Sequence, residues 1–123
     1  MDVQQALIMF DALSQETRLR AFRLLVQAGM EGMPAGRLSE QLGTPHNTLS
    51  FHLSHLANAG IVTFRKAGRS VIYRANFDAM RELIGFMVED CCSADFAQIR
   101  EDHNIGCSII ELMHCCDPPQ TSG

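Results

Sequence analysis

The sequence predicts a mainly α-helical domain that carries one small β-hairpin. Apolar residues recur at helical spacing through most of the first ~90 residues. Two short helical patterns are joined by a Gly-Thr-Pro turn at residues 43–45, and an alternating stretch with a glycine turn follows them. Two short helices joined by about three residues form a helix-turn-helix, and a hairpin directly after the second helix is a wing. This order of elements predicts a winged helix-turn-helix fold.

The first helix is predicted over residues 3–12, because apolar side chains recur there every three to four positions. Ser14 is the predicted N-cap of the second helix, and Gly29 is predicted to end that helix. The residues that carry the first repeat are Val3, Leu7 and Phe10, with Ala6 beside them.

The two helices of the helix-turn-helix follow. Pro34 suits the first position of a third helix, which Gly43 ends. Thr44 is the predicted N-cap of the fourth helix, and Pro45 is its predicted first residue. The apolar side of the fourth helix consists of Leu49, Leu53, Leu56 and Ala57.

The hairpin and a fifth helix complete the pattern. Residues 61–65 and 70–75 alternate in the manner of strands, with Ala67-Gly68 as the predicted turn. Asn76 is the predicted N-cap of the fifth helix, whose apolar stripe is predicted to run as far as Cys91.

The chain of 123 residues predicts one domain with a short tail. Residues 1–92 are expected to form the winged-helix domain for DNA binding and dimerisation. Residues 93–116 are expected to extend it, with a short last helix over 105–116, and residues 117–123 are expected to be disordered. No apolar run reaches the ~20 residues of a membrane span, and no secretory signal opens the chain. Five cysteines, with two adjacent pairs, favour the reduced thiols of a cytoplasmic protein.

Charge is distributed unevenly along the chain. Residues 1–40 carry a net charge of −1, residues 41–77 carry +4 and residues 78–123 carry −7, within a formal total of −4. No acidic residue lies between Glu40 and Asp78. A surface that has been cleared of acidic side chains suits contact with a polyanion such as DNA.

The outward face of the fourth helix offers small polar groups, which can reach base edges in the major groove. Asn47 suits adenine, and Thr44 with the helix N-terminus suits a phosphate. Arg74 lies nearer the base of the wing and suits a structural role, while His52 suits either this face or a hydrogen-bonded place in the core. The predicted DNA-contacting residues are Thr44, His46, Asn47, Thr48, Ser50, Phe51, Ser54, His55, Arg65, Lys66 and Arg69.

Three segments resemble the ArsR/SmtB family of metal- and metalloid-responsive repressors. They are Leu13 to Arg20, Pro45 to Leu56 followed by Ala59-Gly60-Ile61-Val62, and the hairpin from Arg65 to Tyr73. The resemblance covers roughly residues 5–92. It implies a winged-helix homodimer joined through its first and fifth helices. It also implies binding to a pseudo-palindromic operator in double-stranded DNA, and release from that operator when a ligand binds.

The cysteines are the candidate ligand site. The third helix has no cysteine and the fifth has no histidine, so two of the sites used within the family are missing. Cys91 and Cys92 point ~100° apart on an ideal helix, so they can share an ion where the helix frays. With Cys107 they supply three sulfurs, which suit As(III) or Sb(III) as inducer. This arrangement resembles the family branch with an adjacent cysteine pair at the end of the fifth helix.

Several alternatives stay open. Cys115 or Cys116 can replace Cys107, even from the other subunit, and His103 and His114 are compatible with Zn(II) or Cd(II). Thiol oxidation without a metal is a further alternative. Neither an enzyme nor an organic cofactor is expected, because the chain shows no Ser-His-Asp grouping, no phosphate loop and no carboxylate pair in a plausible cleft, and it is too short for a separate catalytic domain. A winged helix that binds only protein is a rival class, which the acid-free window disfavours.

Overall fold

A computed structural model describes residues 1–89. In chain order the elements are α1 (Val3–Leu13), α2 (Glu16–Ala28), β1 (Met33–Pro34), α3 (Ala35–Leu42), α4 (His46–Asn58), β2 (Val62–Ala67), β3 (Ser70–Ala75) and α5 (Phe77–Met87). A 3₁₀ turn, Gly29–Glu31, follows α2. The chain divides after Met80 into two units, and α1 to α4 and the three strands all belong to the first unit. This order confirms the predicted winged helix-turn-helix.

The wing is the antiparallel β2–β3 hairpin, and β1 adds a short third strand beside β3. Ala67 pairs with Ser70, so the two-residue turn is Gly68-Arg69, one residue later than predicted. Gly68 has a φ of 64°, which a tight hairpin turn requires and a side chain disfavours. Strand β1 was not predicted, because two residues are too few to show an alternating pattern.

The first unit closes around a small apolar core. The apolar side of α4 faces this core, as predicted, and its Leu49, Leu53 and Leu56 are almost completely buried. The other large side chains that are fully buried are Leu25, Leu38, Ile61 and Val62. Because α4 is anchored by one stripe of leucines, its opposite face is left for solvent or a partner.

Of the side chains that identified helix α1, only Ala6 is buried. Ala6, Met9 and Ala12 are buried, whereas Val3 is 60% and Leu7 55% exposed. Both faces of α1 carry apolar residues, so periodicity locates the helix without showing which face is buried. The exposed large apolar residues of α1 are Val3, Leu7, Ile8 and Phe10.

The predicted cap of α2 is wrong by one residue. The Ser14 hydroxyl donates to the carbonyl of Asp11 at 2.9 Å, so it closes α1 instead. Gln15 caps α2, because its side-chain oxygen accepts the amide of Arg18 at 2.9 Å. The predicted end of α2 at Gly29 is confirmed.

The starts of α3 and α4 also shift by one residue. Pro34 and Pro45 have extended backbones, with ψ of 148° and 146°, and occupy the N-cap instead of the first helical position. Thr44 is not the cap of α4, because its hydroxyl is 3.4 Å from the carbonyl of Leu42. Gly43 ends α3 in the left-handed conformation, as predicted.

Asn76 is confirmed as the cap of α5. Its Oδ1 accepts the amide of Ala79 at 3.2 Å, and its Nδ2 donates to the carbonyl of Gly60 at 2.9 Å. Its backbone amide donates to the carbonyl of Ile61, also at 2.9 Å. One residue therefore joins the end of α4, the entry to the hairpin and the start of α5.

Helix α5 ends at Met87, before the position of Cys91, to which its apolar stripe was predicted to run. Cys91, the boundary at residue 92, the helix over 105–116 and the tail from residue 117 all lie outside the described residues. None of the helices within residues 1–89 is long and apolar enough to cross a membrane.

Candidate nucleic-acid interface

The solvent face of α4 forms a shallow groove of about 560 Å³. Helical spacing places the lining residues on one side, opposite the buried leucines. Asn58, one turn after Ser54, belongs to this face although it was not predicted; continuing the same spacing past Ser54 would have found it. The groove is lined by Asn47, Ser50, Phe51, Ser54, His55 and Asn58.

The N-terminus of α4 brings further predicted residues to the surface. His46 and Thr48 are exposed in its first turn but do not line the groove. Thr44 is half-buried, and its hydroxyl lies 3.4 Å from the carbonyl of Leu42 at the end of α3. In the described chain no side chain caps α4, so its first amides are available to an anion.

His55 is only partly available to a ligand. Its Nε2 lies 3.4 Å from Oδ2 of Asp11, so it faces α1 as well as the groove. His55 thus lies on the predicted face, and its role in DNA binding stays a prediction. Its contact with Asp11 was not predicted, because the α4 sequence does not show that α1 lies beside the last turns of α4.

His52 takes the hydrogen-bonded alternative. Its Nδ1 lies 3.3 Å from Nη1 of Arg18, and the Nε of Arg18 donates to the carbonyl of Ala12 at 2.7 Å. Burial, the Arg18 charge and His55 together lower the pKa of His52 below its ordinary value of 6.5. His52 is therefore neutral at pH 7, with Nδ1 accepting from Arg18.

The wing presents basic side chains without acidic neighbours. Arg65, Lys66 and Arg69 are exposed, and no carboxylate within residues 1–89 pairs with them. The two pairs between charged groups in that range, Glu16 with Arg20 and Asp11 with His55, do not involve the wing. The positive window of the sequence thus corresponds to a contiguous run of elements, α4, β2 and β3.

Arg74 lies beside Arg65 rather than apart from it. Arg65 pairs with Ile72 in the hairpin, which places Arg74, two residues further along β3, on the same face. Arg65 and Arg74 line a small depression of about 70 Å³ with Thr63. Two guanidinium groups with no carboxylate of residues 1–89 paired to them suit an anion, so Arg74 joins the candidate residues beside its predicted structural role. Counting register from the turn would have found this pair.

The candidate metal ligands all lie outside the described residues. They are Cys91, Cys92, Cys107, Cys115 and Cys116. In residues 1–89, no three His, Cys, Asp or Glu side chains are grouped so that they could hold a metal ion.

Comparison with known proteins gives the family. A pattern described as a helix-turn-helix domain matches residues 13–64. An uncharacterized HTH-type transcriptional regulator of Methanocaldococcus jannaschii is 34% identical over 86 residues, which cover 70% of this chain and 94% of the relative.

Solved structures share the fold. An ArsR-like transcriptional regulator from Rhodococcus matches with a TM-score of 0.60 and 24% identity, covering 89% of this chain and 92% of that one. HlyU from Vibrio cholerae matches with a TM-score of 0.58 and 24% identity, covering 76% and 100%. A homodimeric winged helix-turn-helix domain from Mycobacterium bovis matches with a TM-score of 0.59 and 23% identity, covering 82% and 87%.

The family accounts for the geometry of α4 and the wing. HTH transcriptional regulators bind DNA and are not enzymes, which confirms the prediction that the chain has no catalytic activity. In helix-turn-helix regulators the second helix of the motif, which is α4 in this chain's order of elements, is the one that enters the major groove. The chain belongs to the helix-turn-helix transcriptional regulators, and it has the winged-helix fold of the ArsR-like ones.

Proposed function

We propose that this chain is an ArsR/SmtB-type repressor, which binds operator DNA as a homodimer and leaves it when a soft metalloid binds its cysteines. The observation that carries the proposal is the surface of α4 and the hairpin, whose own residues include no acid. This surface combines small polar groups with basic ones that pair with no carboxylate of residues 1–89. Neutral groups that can read bases lie on the helix, and the fixed positive charges lie on the wing.

In this proposal α4 enters the major groove. Asn47, Ser50 and Ser54 reach base edges there, and the first amides of α4 hold a phosphate. Arg65, Lys66 and Arg69 neutralise phosphates or enter the minor groove. Each phosphate that is neutralised contributes about −0.9 to the slope of log affinity against log salt.

The proposed homodimer is supported by the exposed side of α1. Val3, Leu7 and Ile8 are each more than half exposed, which is unusual for three large apolar side chains on one short helix. The Mycobacterium bovis neighbour is a homodimer. A second copy covering α1, and α5 as the resemblance implies, would place two α4 helices in half-sites ~34–36 Å apart.

The proposed inducer is As(III) or Sb(III). The support is chemical, because soft thiolates prefer such ions to hard cations. Cys91, Cys92 and Cys107 are the proposed ligands, with Cys115 or Cys116 as replacements for the third. One structure of the same fold, with a TM-score of 0.56 and 24% identity, is described as a possible transcriptional regulator for arsenical resistance.

The proposed response is release from DNA. Fixing the segment that follows α5 would alter the separation of the two α4 helices, which operator spacing tolerates poorly. A coupling free energy of ~1–3 kcal/mol corresponds to ~5–150-fold weaker operator binding.

An electrophoretic mobility shift on DNA from the protein's own promoter tests the proposal. We expect a salt-dependent complex that stoichiometric arsenite dissolves. A Cys91→Ser/Cys92→Ser variant should keep the complex and lose the response. The matched control, Cys115→Ser/Cys116→Ser, should keep both if Cys107 is the third ligand.

Other outcomes would change the proposal. Dissolution by Zn(II), Cd(II) or peroxide but not by arsenite would replace the inducer. If a variant without any of the five cysteines still leaves DNA on addition of arsenite, the thiolate site is wrong.

A further inference from the structure

Phe51 is the apolar residue among the polar ones that line the groove on α4, the face that the proposed function assigns to DNA. Its side chain is 73% exposed and lies among Asn47, Ser50 and Ser54 in the α4 groove. A phenyl ring donates and accepts no conventional hydrogen bond, so it cannot replace these neighbours in reading polar base edges. Its chemistry calls for an apolar contact within a polar surface.

The exposed apolar side of α1 does not account for Phe51. A separate groove of about 460 Å³ lies between α1 and the end of α4, and Leu7 and Ile8 line it. His55 and Asn58 line both grooves, but Phe51 lines only the one on α4. The ring therefore belongs to the face that carries Asn47 and Ser50 and not to the apolar side of α1.

Phe51 also has an ordered neighbour. Its ring meets His52 edge to face, with centroids 6.4 Å apart and an interplanar angle of 85°. Arg18 contacts Nδ1 of His52 at 3.3 Å and is itself bound to the carbonyl of Ala12 at 2.7 Å. This chain of contacts links the ring to the end of α1 through His52 and Arg18.

Major-groove chemistry offers one partner for such a ring. Among the four base-pair arrangements, the 5-methyl of thymine is the apolar group presented in the major groove. Adenine presents an acceptor and a donor that suit an amide such as Asn47. Asn47 lies four residues before Phe51, ~6 Å along the axis of α4, so the two side chains fall on nearby base pairs.

We propose that Phe51 is a specificity-determining residue, which contacts the 5-methyl group of one thymine in each half-site of the operator. This inference rests on the proposed function, since it requires α4 to lie in the major groove. Asn47, Ser50 and Ser54 read polar edges beside that thymine, and Arg18 with His52 positions the ring.

The test uses the full chain and begins by selecting the operator itself. Duplexes that bind are selected from a randomised pool, and each thymine of the selected site is then replaced in turn by deoxyuridine. This replacement removes only the methyl group and keeps every hydrogen-bonding edge. We expect one position per half-site at which the uracil duplex binds about 3- to 5-fold more weakly.

Variants then assign the effect to the ring. Phe51→Ala should bind the thymine and uracil duplexes equally, whereas Phe51→Leu should keep part of the difference because it retains an apolar side chain. Arg65→Ala is the matched control, since it should weaken both duplexes by the same factor. Circular dichroism checks that each variant is folded.

The outcomes separate this inference from the proposed function. A protein that selects no duplex overturns the proposed function, and the inference with it. A protein that selects a site but shows no position sensitive to uracil overturns the inference alone. A thymine preference that survives in Phe51→Ala also overturns it.

Discussion

Helices α1 and α4 are built alike and present opposite chemistry to their surroundings. Each buries one stripe of three side chains, Ala6, Met9 and Ala12 in α1 and three leucines in α4. The exposed side of α1 carries large apolar side chains, whereas the exposed side of α4 carries amide, hydroxyl and imidazole groups around one phenyl ring. The buried stripes hold both helices in the fold, so the two helices differ in the partner that each exposed side suits.

That difference separates two kinds of binding. A mainly apolar face gains from being covered by another apolar face, which favours a second copy of the chain. A polar face whose own residues include no acid can approach a hydrated polyanion with little repulsion, which favours DNA. The contact of Asp11 with His55 lies where the two faces meet. Substitutions that disturb one face at a time can therefore separate dimerisation from DNA binding.

The largest effect is expected from the buried stripe of α4. Leu49→Ala removes a side chain that is almost fully buried, so it should lower the free energy of unfolding by ~2–5 kcal/mol. Ser50→Ala, on the exposed face of the same helix, should change it by less than ~0.5 kcal/mol. Urea unfolding at a fixed protein concentration measures both. Equal losses would show that α4 does not rest on its leucines.

The exposed side of α1 is tested next. Leu7→Glu should leave the fold intact but place a charge in the proposed dimer contact, giving monomers by analytical ultracentrifugation. Losing the second half-site should weaken operator binding by ~100-fold or more. Gln27→Glu, on the exposed surface of α2, makes an acidic change elsewhere and should alter neither measurement. A Leu7→Glu protein that stays dimeric would remove α1 from the interface.

A smaller effect is expected on the wing. Arg65→Ala removes one phosphate contact from each subunit of the proposed dimer, so it should weaken DNA binding by ~10-fold or more and reduce the salt slope by about 1.8. Arg74→Ala should act in the same direction, because Arg74 lines the same depression. Arg20→Ala removes an arginine from α2 and should leave the slope unchanged. A slope that is the same in all three variants and the wild type would exclude the wing from DNA.

The smallest effect concerns pH. The fold lowers the pKa of His52 below 6.5, so the unfolded chain takes up a proton before the folded chain does. Stability is therefore complete above about pH 6.5 and falls as the pH decreases from there toward the lower folded pKa. His52→Gln should lose less stability than the wild type between about pH 7.5 and about pH 5.5. Chemical denaturation at the two pH values measures the difference, and an identical loss would contradict it.

The sequence predicted the fold through local signals that do not depend on packing. Gly29 and Gly43 end helices, and Asn76 caps α5, because these residues suit unusual backbone conformations or unpaired amides wherever they stand. Alternation with Gly68 marks the hairpin for the same reason. The caps at Ser14 and Thr44 failed because an adjacent residue, Gln15 or Pro45, occupies the N-cap.

The candidate site was predicted in composition but not in contacts. The polar face of α4 follows from helical spacing against Leu49, Leu53 and Leu56, and most of its predicted residues are exposed. The partners of His52 and His55 come from α2 and α1, which lie more than thirty residues away in the sequence. No local pattern in α4 encodes those neighbours. The cysteine site stays a prediction.

By itself, the sequence determined the order of helices and strands, the acid-free window and the residue types that face outward on α4. These follow from the pattern of side chains and from charge, which are properties of the chain. Only the tertiary structure decided which side of α1 is buried, that β1 joins the sheet and that His55 faces Asp11. Each of these depends on contacts between distant segments, because packing chooses among faces that periodicity leaves equivalent.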